Sequence, residues 1–359
     1  MSLDSSPGGA RKGRGAPSNP AGRFETRTAE RVDDGWGSLD EELPPLETTV
    51  RPEKARSVIS RNQSPDIPFE QSINPYRGCE HGCVYCYARP SHAYLDLSPG
   101  LDFETRLFYK PNAAERLAAE LSRPGYVCKP ITLGANTDPY QPVEKRLRVT
   151  RSIVEVLQRF RHPVTIVTKG ALVERDVDLL APMAADGLAA AFLSITTLDN
   201  ALKRTLEPRA AAPAARLRAL AALSEAGVPT GVLVAPIIPA VNDGEIEAIL
   251  EQAAAAGAVT AGYTLLRLPY EVKDLFEQWL RAHLPLRAEH VLNLIREMRD
   301  GKLNDPRFGD RMHGRGRYAE LIAQRFRLAR RRYGLDRREM LALDRTRFRV
   351  PTAQMGLWD

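Results

Sequence analysis

Between about residues 66 and 284, short apolar, β-branched runs alternate with stretches of helical periodicity. Six runs read as strands: QSINPYRG (71–78), ITLGANT (131–137), VTIVTK (164–169), AAFLSITT (190–197), GVLVAP (231–236) and YTLLRLP (263–269). Helical periods fill the gaps. Thr150 is the expected cap for a face of Ile153, Val156, Leu157 and Phe160. Pro213 opens a helix carrying Leu217, Leu220 and Leu223 that stops at Gly227, and Asn242 with Glu245 is an expected capping pair before Ile246, Ile249 and Leu250. Such alternation calls for parallel strands joined by right-handed crossovers, in an open sheet or a full or partial barrel. The predicted fold class is therefore α/β. In either architecture ligands sit at the carboxyl ends of the strands. Those ends carry Asn136, Thr137 and Asp138, then Thr168 and Lys169, then Ser194 with Thr196 and Thr197, and finally Arg267.

The flanks differ from this body. Residues 1–58 hold seven Gly, six Pro and only two aromatics, so they read as a disordered leader, with RKGR (11–14) as a solvated basic tract. The barrel-like body spans 59–285 and ends in an amphipathic helix bearing Val272, Leu275, Phe276, Trp279 and Leu280. Residues 286–359 read as an Arg-rich, mostly helical extension, interrupted by FGDRMHGRGRY (308–318). From Asp305 to Arg349 there are 14 Arg, no Lys and six acids, so this segment carries 14 − 6 = +8 and the remainder 6 − 8 = −2. Such a basic face attracts phosphate backbones, which makes DNA or RNA an expected partner, and deleting the segment is expected to remove substrate binding alone. Neither a signal-peptide pattern nor an apolar run of about 18 residues occurs, and four cysteines are too few for a disulfide framework. A cytoplasmic protein with no membrane partner is expected.

Three of the four cysteines fall in RGCEHGCVYCYARP, as Cys79, Cys83 and Cys86. That spacing brings three thiolates to one inorganic cluster on a single loop and leaves a fourth coordination position open, which favours chemistry over structure. The competing reading is structural zinc, with His81 or Cys128 as fourth ligand, although such sites usually come as paired CxxC knuckles. No Walker loop, GxSxG elbow or HExxH helix is present.

The Cx3Cx2C loop, with Tyr85 just before the third cysteine, resembles the signature of the radical S-adenosylmethionine (SAM) superfamily. The resemblance implies a partial (β/α)6 barrel and a [4Fe-4S] cluster on Cys79, Cys83 and Cys86. It also implies S-adenosyl-L-methionine chelated to the fourth iron, and an external electron donor such as flavodoxin or ferredoxin. The implied chemistry is reductive cleavage of SAM to a 5′-deoxyadenosyl radical, which abstracts hydrogen from a substrate that the resemblance does not name. A narrower resemblance is to the spore photoproduct lyase and DNA-repair-photolyase-like branch. It rests on Tyr85 and Tyr87, Thr137-Asp138, Lys169 and Ser194. It implies that Tyr85, Thr137, Asp138, Lys169 and Ser194 surround SAM, with Lys169 neutralising the methionine carboxylate, and that GVLVA from Gly231 lines the adenine. The wider pattern, including GANTDPYQPVE, LEPR and RMHGRGRY, is similar to an uncharacterised bacterial family grouped beside that branch.

One departure from the lyase matters. Where the lyase has a cysteine that returns a hydrogen atom to the product, this chain has Ala135, while Cys128 sits at the far end of the same strand as an expected core thiol. This argues against repair of the spore photoproduct itself. Arg204, Glu207 and Arg209 are expected over the barrel mouth as grips for a phosphate or for SAM's carboxylate, and His81 is expected on the loop surface. Arg267 would be expensive to bury unpaired, and the stretch around Arg311, Gly314 and Gly316 has the composition of an anion-binding loop. The reading from a different class is a non-catalytic, metal-stabilised nucleic-acid-binding protein.

Overall fold

The computed structural model describes residues 13–24 and 46–351. Its strands are β1 (Thr49–Pro52), β2 (Ile59–Arg61), β3 (Gln71–Ile73), β4 (Tyr76–Arg77), β5 (Arg106–Tyr109), β6 (Ile131–Leu133), β7 (Val164–Thr168), β8 (Ala189–Ser194), β9 (Thr230–Ile237) and β10 (Thr260–Leu265). The main sheet has the order β10-β9-β8-β7-β6-β3-β2. The pairs from β3 through β10 are all parallel, and β2 alone runs antiparallel on β3. Strands covered by helices on one face and by packed side chains on the other must be apolar throughout. Accordingly Ile131, Leu133, Val164, Ile166, Leu193, Val232 and Val234 are fully buried. β10 and β2 end the sheet without pairing to each other, so the barrel stays open along one seam. A small sheet, β1-β5-β4, stands apart from it.

These six parallel strands are the six predicted from alternation. The sixth starts at Thr260 rather than Tyr263, and a register shift between Tyr263 and Leu265 ends its ladder early. The helix after Pro213 runs Pro213–Glu225 and stops before Gly227, whose φ of 82° suits the left-handed turn that follows. The expected caps are corrected. Thr150 lies inside helix Val149–Arg159 and donates its hydroxyl to the Pro139 carbonyl, 2.5 Å away. The backbone N–H groups of Thr150 and Arg151 are instead taken by the buried carboxylate of Glu144, at 2.9 and 3.2 Å. Asn242 and Glu245 cap nothing either. The Asn242 amide joins Ile238, Thr196 and Pro236, and Glu245 accepts from Thr197 and Leu198, so both tie the ends of β8 and β9 together. Local spacing suggested a cap in each case, but a tertiary acceptor or donor lay closer.

Two expectations about the flanks are also revised. Within the presumed leader, Arg14 donates to the Leu46 carbonyl and the Thr48 hydroxyl, Ala16 is buried, and β1 pairs with β5. Residues 1–12 and 25–45 of that leader lie outside the described residues. The C-terminal extension is not an appendage. Ala319, Ile322, Phe326, Ala329 and Leu335 belong to the main core, and Val291, Leu292 and Ile295 share a second core with Cys83, Tyr85 and Trp279. Its charge is partly met by the body: Arg311 pairs with Asp66, Arg325 with Glu247 and Arg347 with Asp186. Deleting it would strip core contacts as well as charge. Among the described residues no helix is long and apolar enough to cross a membrane.

The Glu144 assignment separates two residues by their cost. Glu144→Ala should lower the free energy of unfolding in urea by about 3 kcal/mol, because it orphans the N–H groups of Thr150 and Arg151 and removes one of the two carboxylates on Arg175, which keeps Asp176. Thr150→Val, which deletes one hydroxyl bond, should cost about 1 kcal/mol. Equal losses would restore Thr150 as the cap.

Candidate active site

The loop that follows β3 is a chain of tight turns. Gly82 donates its N–H to the Cys79 carbonyl at 3.2 Å, Cys86 to Cys83 at 3.1 Å, and Arg89 to Cys86 at 3.2 Å. Each cysteine carbonyl thus closes one turn, which is the structural meaning of the three-and-two spacing. Cys79 and Cys83 are buried, Cys86 is partly buried, and none forms a disulfide. Cys86 packs against Cys79 and Phe103 on one side and touches the Cys83 cluster on the other.

Arg89 holds the loop from beneath. It is fully buried and gives Nε to the Cys83 carbonyl at 2.9 Å and Nη2 to the Gly82 carbonyl at 3.0 Å. Nη1 reaches the carbonyls of Pro99 and Gly100, and Nη2 pairs with the equally buried Glu104 at 2.8 Å. All five guanidinium donors are used. The second face of Glu104 receives the N–H groups of Gly15 and Ala16, at 3.0 and 2.8 Å. The fit leaves no room for side chains: a Cβ on Gly82, whose φ is 66°, would meet Glu104 Oε2 at 2.5 Å, and one on Gly15 would meet the Gly82 carbonyl oxygen at 1.7 Å. Gln141, buried after β6, accepts from the Glu80 N–H and donates to the Gly78 carbonyl, fixing the loop's other edge.

Inside the sheet the centre is Glu207. Its buried Oε1 accepts the hydroxyls of Thr196, at 2.6 Å, and of Tyr85, and its Oε2 pairs with buried Arg216. Arg216 also donates to the carbonyls of Ser194 and Ala211. Lys169 points inward from the end of β7, with Nζ 3.4 Å from the Ala235 carbonyl, 4.0 Å from Glu207 and 5.9 Å from the centre of the Tyr85 ring. Burial alone would raise the Glu207 carboxyl, but Arg216, Lys169 and the two hydroxyls hold it at about 2.

The residues expected at SAM divide by what is left to them. Tyr85 is committed to Glu207. Thr137 donates its hydroxyl to the Tyr76 carbonyl. Asp138 accepts from Tyr140 N–H and the Thr168 hydroxyl on one oxygen and from Lys169 N–H on the other, where His81 Nδ1 also stands at 3.4 Å. Burial opposes its charge, yet His81 and these donors hold it at about 2. With its acceptor positions filled, Asp138 acts as a clamp between the ends of β6 and β7. Lys169 and Ser194 keep unused capacity, since the buried Ser194 hydroxyl has no bond among the described residues. His81 is buried rather than on the loop surface. Of the residues expected over the mouth, Arg204 is exposed, Arg209 is bound to Glu80 and Glu207 is sealed inside. Cys128 stands near Arg345 and away from the loop, partly buried.

Sequence reasoning placed Thr196 at a strand end but passed over Arg89, Glu104, Gln141 and Arg216. Arg216 left a signal, because it shares a helical face with Leu220 and Leu223, where a charge needs a partner. The others had none.

The three thiols suit a cationic inorganic group. Burial pushes all of them up, Cys83 to about 12 with the facing Glu207 carboxylate adding to the effect, so thiolates persist here only against positive charge. A four-iron cluster places each cysteine on its own iron.

Comparisons with known proteins agree with this geometry. Residues 73–253 match the radical SAM superfamily. An uncharacterized protein of Mycobacterium tuberculosis (strain H37Rv) is 39% identical over 267 residues, covering 73% of this chain and 76% of the relative. An uncharacterized protein of Methanocaldococcus jannaschii is 29% identical over 192 residues, 54% of this chain and 69% of the relative. Spore photoproduct lyase complexed with dinucleoside spore photoproduct superposes with a TM-score of 0.56 at 15% identity, over 79% of each chain. The chain therefore belongs to the radical SAM superfamily, whose cofactors are a [4Fe-4S] cluster and SAM.

The Glu207 carboxyl is depressed from an ordinary 4.5 to about 2, so its stabilising contribution is complete above about pH 4.5 and disappears as pH falls towards 2. Glu207→Gln should cost about 3 to 5 kcal/mol at neutral pH, by leaving Arg216 buried without its partner. It should also flatten the acid loss of stability. Urea unfolding of the two apoproteins from about pH 5 down to about pH 2.5 reads both effects. Parallel curves would show that Glu207 is not held ionised by this network.

Proposed function

We propose that this radical SAM enzyme abstracts hydrogen from a nucleic-acid substrate held at the carboxyl ends of the strands. The observation that carries the enzyme reading is the set of three buried, unbridged cysteines on a loop clamped by Arg89 and facing the Glu207–Lys169 network. Cluster and SAM, when bound, supply one-electron cleavage of SAM to a 5′-deoxyadenosyl radical. The chain's own residues do the rest. Cys79, Cys83 and Cys86 hold the iron, Lys169 offers an ammonium to a carboxylate, and Ser194 offers an unused hydroxyl. Glu207 and Arg216 orient Tyr85 and Lys169. Leu206, Ile238, Leu266 and Phe276, all packed around Cys83 and Tyr85, exclude water from the loop's inner side.

The basic residues at the mouth and the likeness to a lyase solved with a dinucleoside support the nucleic-acid substrate. The reaction differs from spore photoproduct repair, because Ala135 has no hydrogen atom to return as a thiol would. An external flavodoxin or ferredoxin supplies the electron, in a cytoplasmic setting.

Anaerobic reconstitution should load about four irons per chain, and dithionite with SAM should then release 5′-deoxyadenosine. Cys83→Ala should lose both. One zinc per chain with no SAM cleavage, in folded protein, would overturn this reading in favour of a metal-stabilised nucleic-acid-binding protein.

A further inference from the structure

The strand that ends the open sheet delivers a cation that no carboxylate among the described residues bonds directly. Arg267 follows β10 between buried Leu266 and Leu268, and its buried Nε has no hydrogen-bond partner. Among the described residues its one hydrogen bond runs from Nη1 to the Met312 sulfur at 3.7 Å, a weak acceptor. Its neighbours do not neutralise it. Arg299, 2% exposed, donates to the carbonyls of Leu266 and Asp310, both at 2.8 Å. Arg311 pairs with Asp66 at 2.5 Å and donates to the Ser64 hydroxyl. Asp305 and Asp310, the other carboxylates near Arg299, are bound to Arg307 and Arg315. The one carboxylate among the described residues that acts on Arg267, Asp66, is therefore already bound to Arg311. Arg267 is half-buried with its Nε enclosed, and a guanidinium left without a carboxylate partner there is suited to an anion that offsets its charge.

The surroundings narrow the anion. The Arg267 guanidinium carbon lies 5.5 Å from the centre of the Tyr87 ring, which is 47% exposed, and the Tyr87 hydroxyl bonds the Ala135 carbonyl. Tyr87 directly follows Cys86, so cation and ring stand beside the cluster loop, where β6 and β10 end. The Gly309 N–H and Arg311 both hold Asp66, which ties the C-terminal segment across the seam to the loop after β2. An open aromatic face beside an unpaired arginine is the combination that stacks a base and grips the adjoining phosphate of an unpaired nucleotide. The larger basic cluster lies elsewhere. Exposed Arg331 and Arg332 lead into Leu335 and Asp336, which bond Ala261 and Thr260 at the opposite, amino-terminal end of β10.

We propose that Arg267 is a substrate-binding residue that seats a phosphodiester of single-stranded or extruded nucleic acid, with the neighbouring base against Tyr87. This rests on the enzyme reading above and names the anion its substrate must carry.

The test titrates thymidylyl-thymidine, thymidine and inorganic phosphate into reconstituted holoenzyme by calorimetry, for the native chain, Arg267→Gln, Arg267→Lys and, as a control on an exposed arginine of helix Gly316–Arg332, Arg327→Gln. Dinucleotide affinity should fall at least tenfold in Arg267→Gln, recover in part in Arg267→Lys and stay unchanged in Arg327→Gln. Thymidine should bind weakly and equally throughout. Because no carboxylate bonds the cation directly in the empty site, Arg267→Gln should also raise the thermal midpoint of the ligand-free protein, a gain that a structural arginine would not give. Equal dinucleotide affinity in native protein and Arg267→Gln overturns the proposal, as does native protein that binds no dinucleotide. Inorganic phosphate binding as tightly as the dinucleotide overturns the Tyr87 part. A tenfold rise in KM for SAM in Arg267→Gln, with dinucleotide binding intact, gives Arg267 to SAM's carboxylate instead. Iron content and 5′-deoxyadenosine from the native enzyme report separately on the enzyme reading.

Discussion

The cysteine loop rests on a charge pair that water does not reach. Arg89 and Glu104 are both fully buried, and between them they bind the carbonyls of Gly82, Cys83, Pro99 and Gly100 and the N–H groups of Gly15 and Ala16. A buried ion pair is a poor source of net stability, because desolvation offsets most of the attraction. Its value here is directional. A planar guanidinium with five committed donors accepts one arrangement of its neighbours, and that arrangement sets the turns carrying Cys79, Cys83 and Cys86. Gly82 and Gly15 follow from it, since any side chain at either position would occupy the space of the pair or of the carbonyl it binds.

Above this base, charge is distributed so that the two buried carboxylates of the site are already satisfied. Glu207 and Asp138 are each held ionised at about 2 by donors from several elements, although burial opposes both. The groups with capacity left, Lys169, Ser194 and Arg267, are two cations and a hydroxyl. A site built this way is electrostatically open towards anions, whether a carboxylate deep inside or a phosphate at the seam.

The seam explains the C-terminal extension. An open parallel sheet leaves two edges and one uncovered flank, and here the chain returns to cover them. Its helix Gly316–Arg332 packs on the helices Ile246–Ala255 and Ala288–Met298, while Arg311 reaches across to Asp66. The arginines near residue 311 come to the mouth and those near residue 331 to the other end. A single count of +8 therefore merges two surfaces with different neighbours.

The sequence by itself determined the six parallel strands, the three-thiol loop and the superfamily, because each is written in local periodicity or fixed spacing. It also placed Lys169, Ser194 and Arg267 at strand ends, where alternation alone puts them. It could not show that Thr150 yields its cap to Glu144, that Asp138 is filled by Thr168 and His81, or that Arg14–Ala16 fold onto Glu104. Each depends on a partner from 6 to 90 positions away, and spacing carries no trace of such pairs. Which charges are used up and which remain free is a property of packing, since burial and distance decide it. That is why the sequence could single out Arg267 as costly to bury, while only the tertiary structure showed that its Nε has no partner among the described residues.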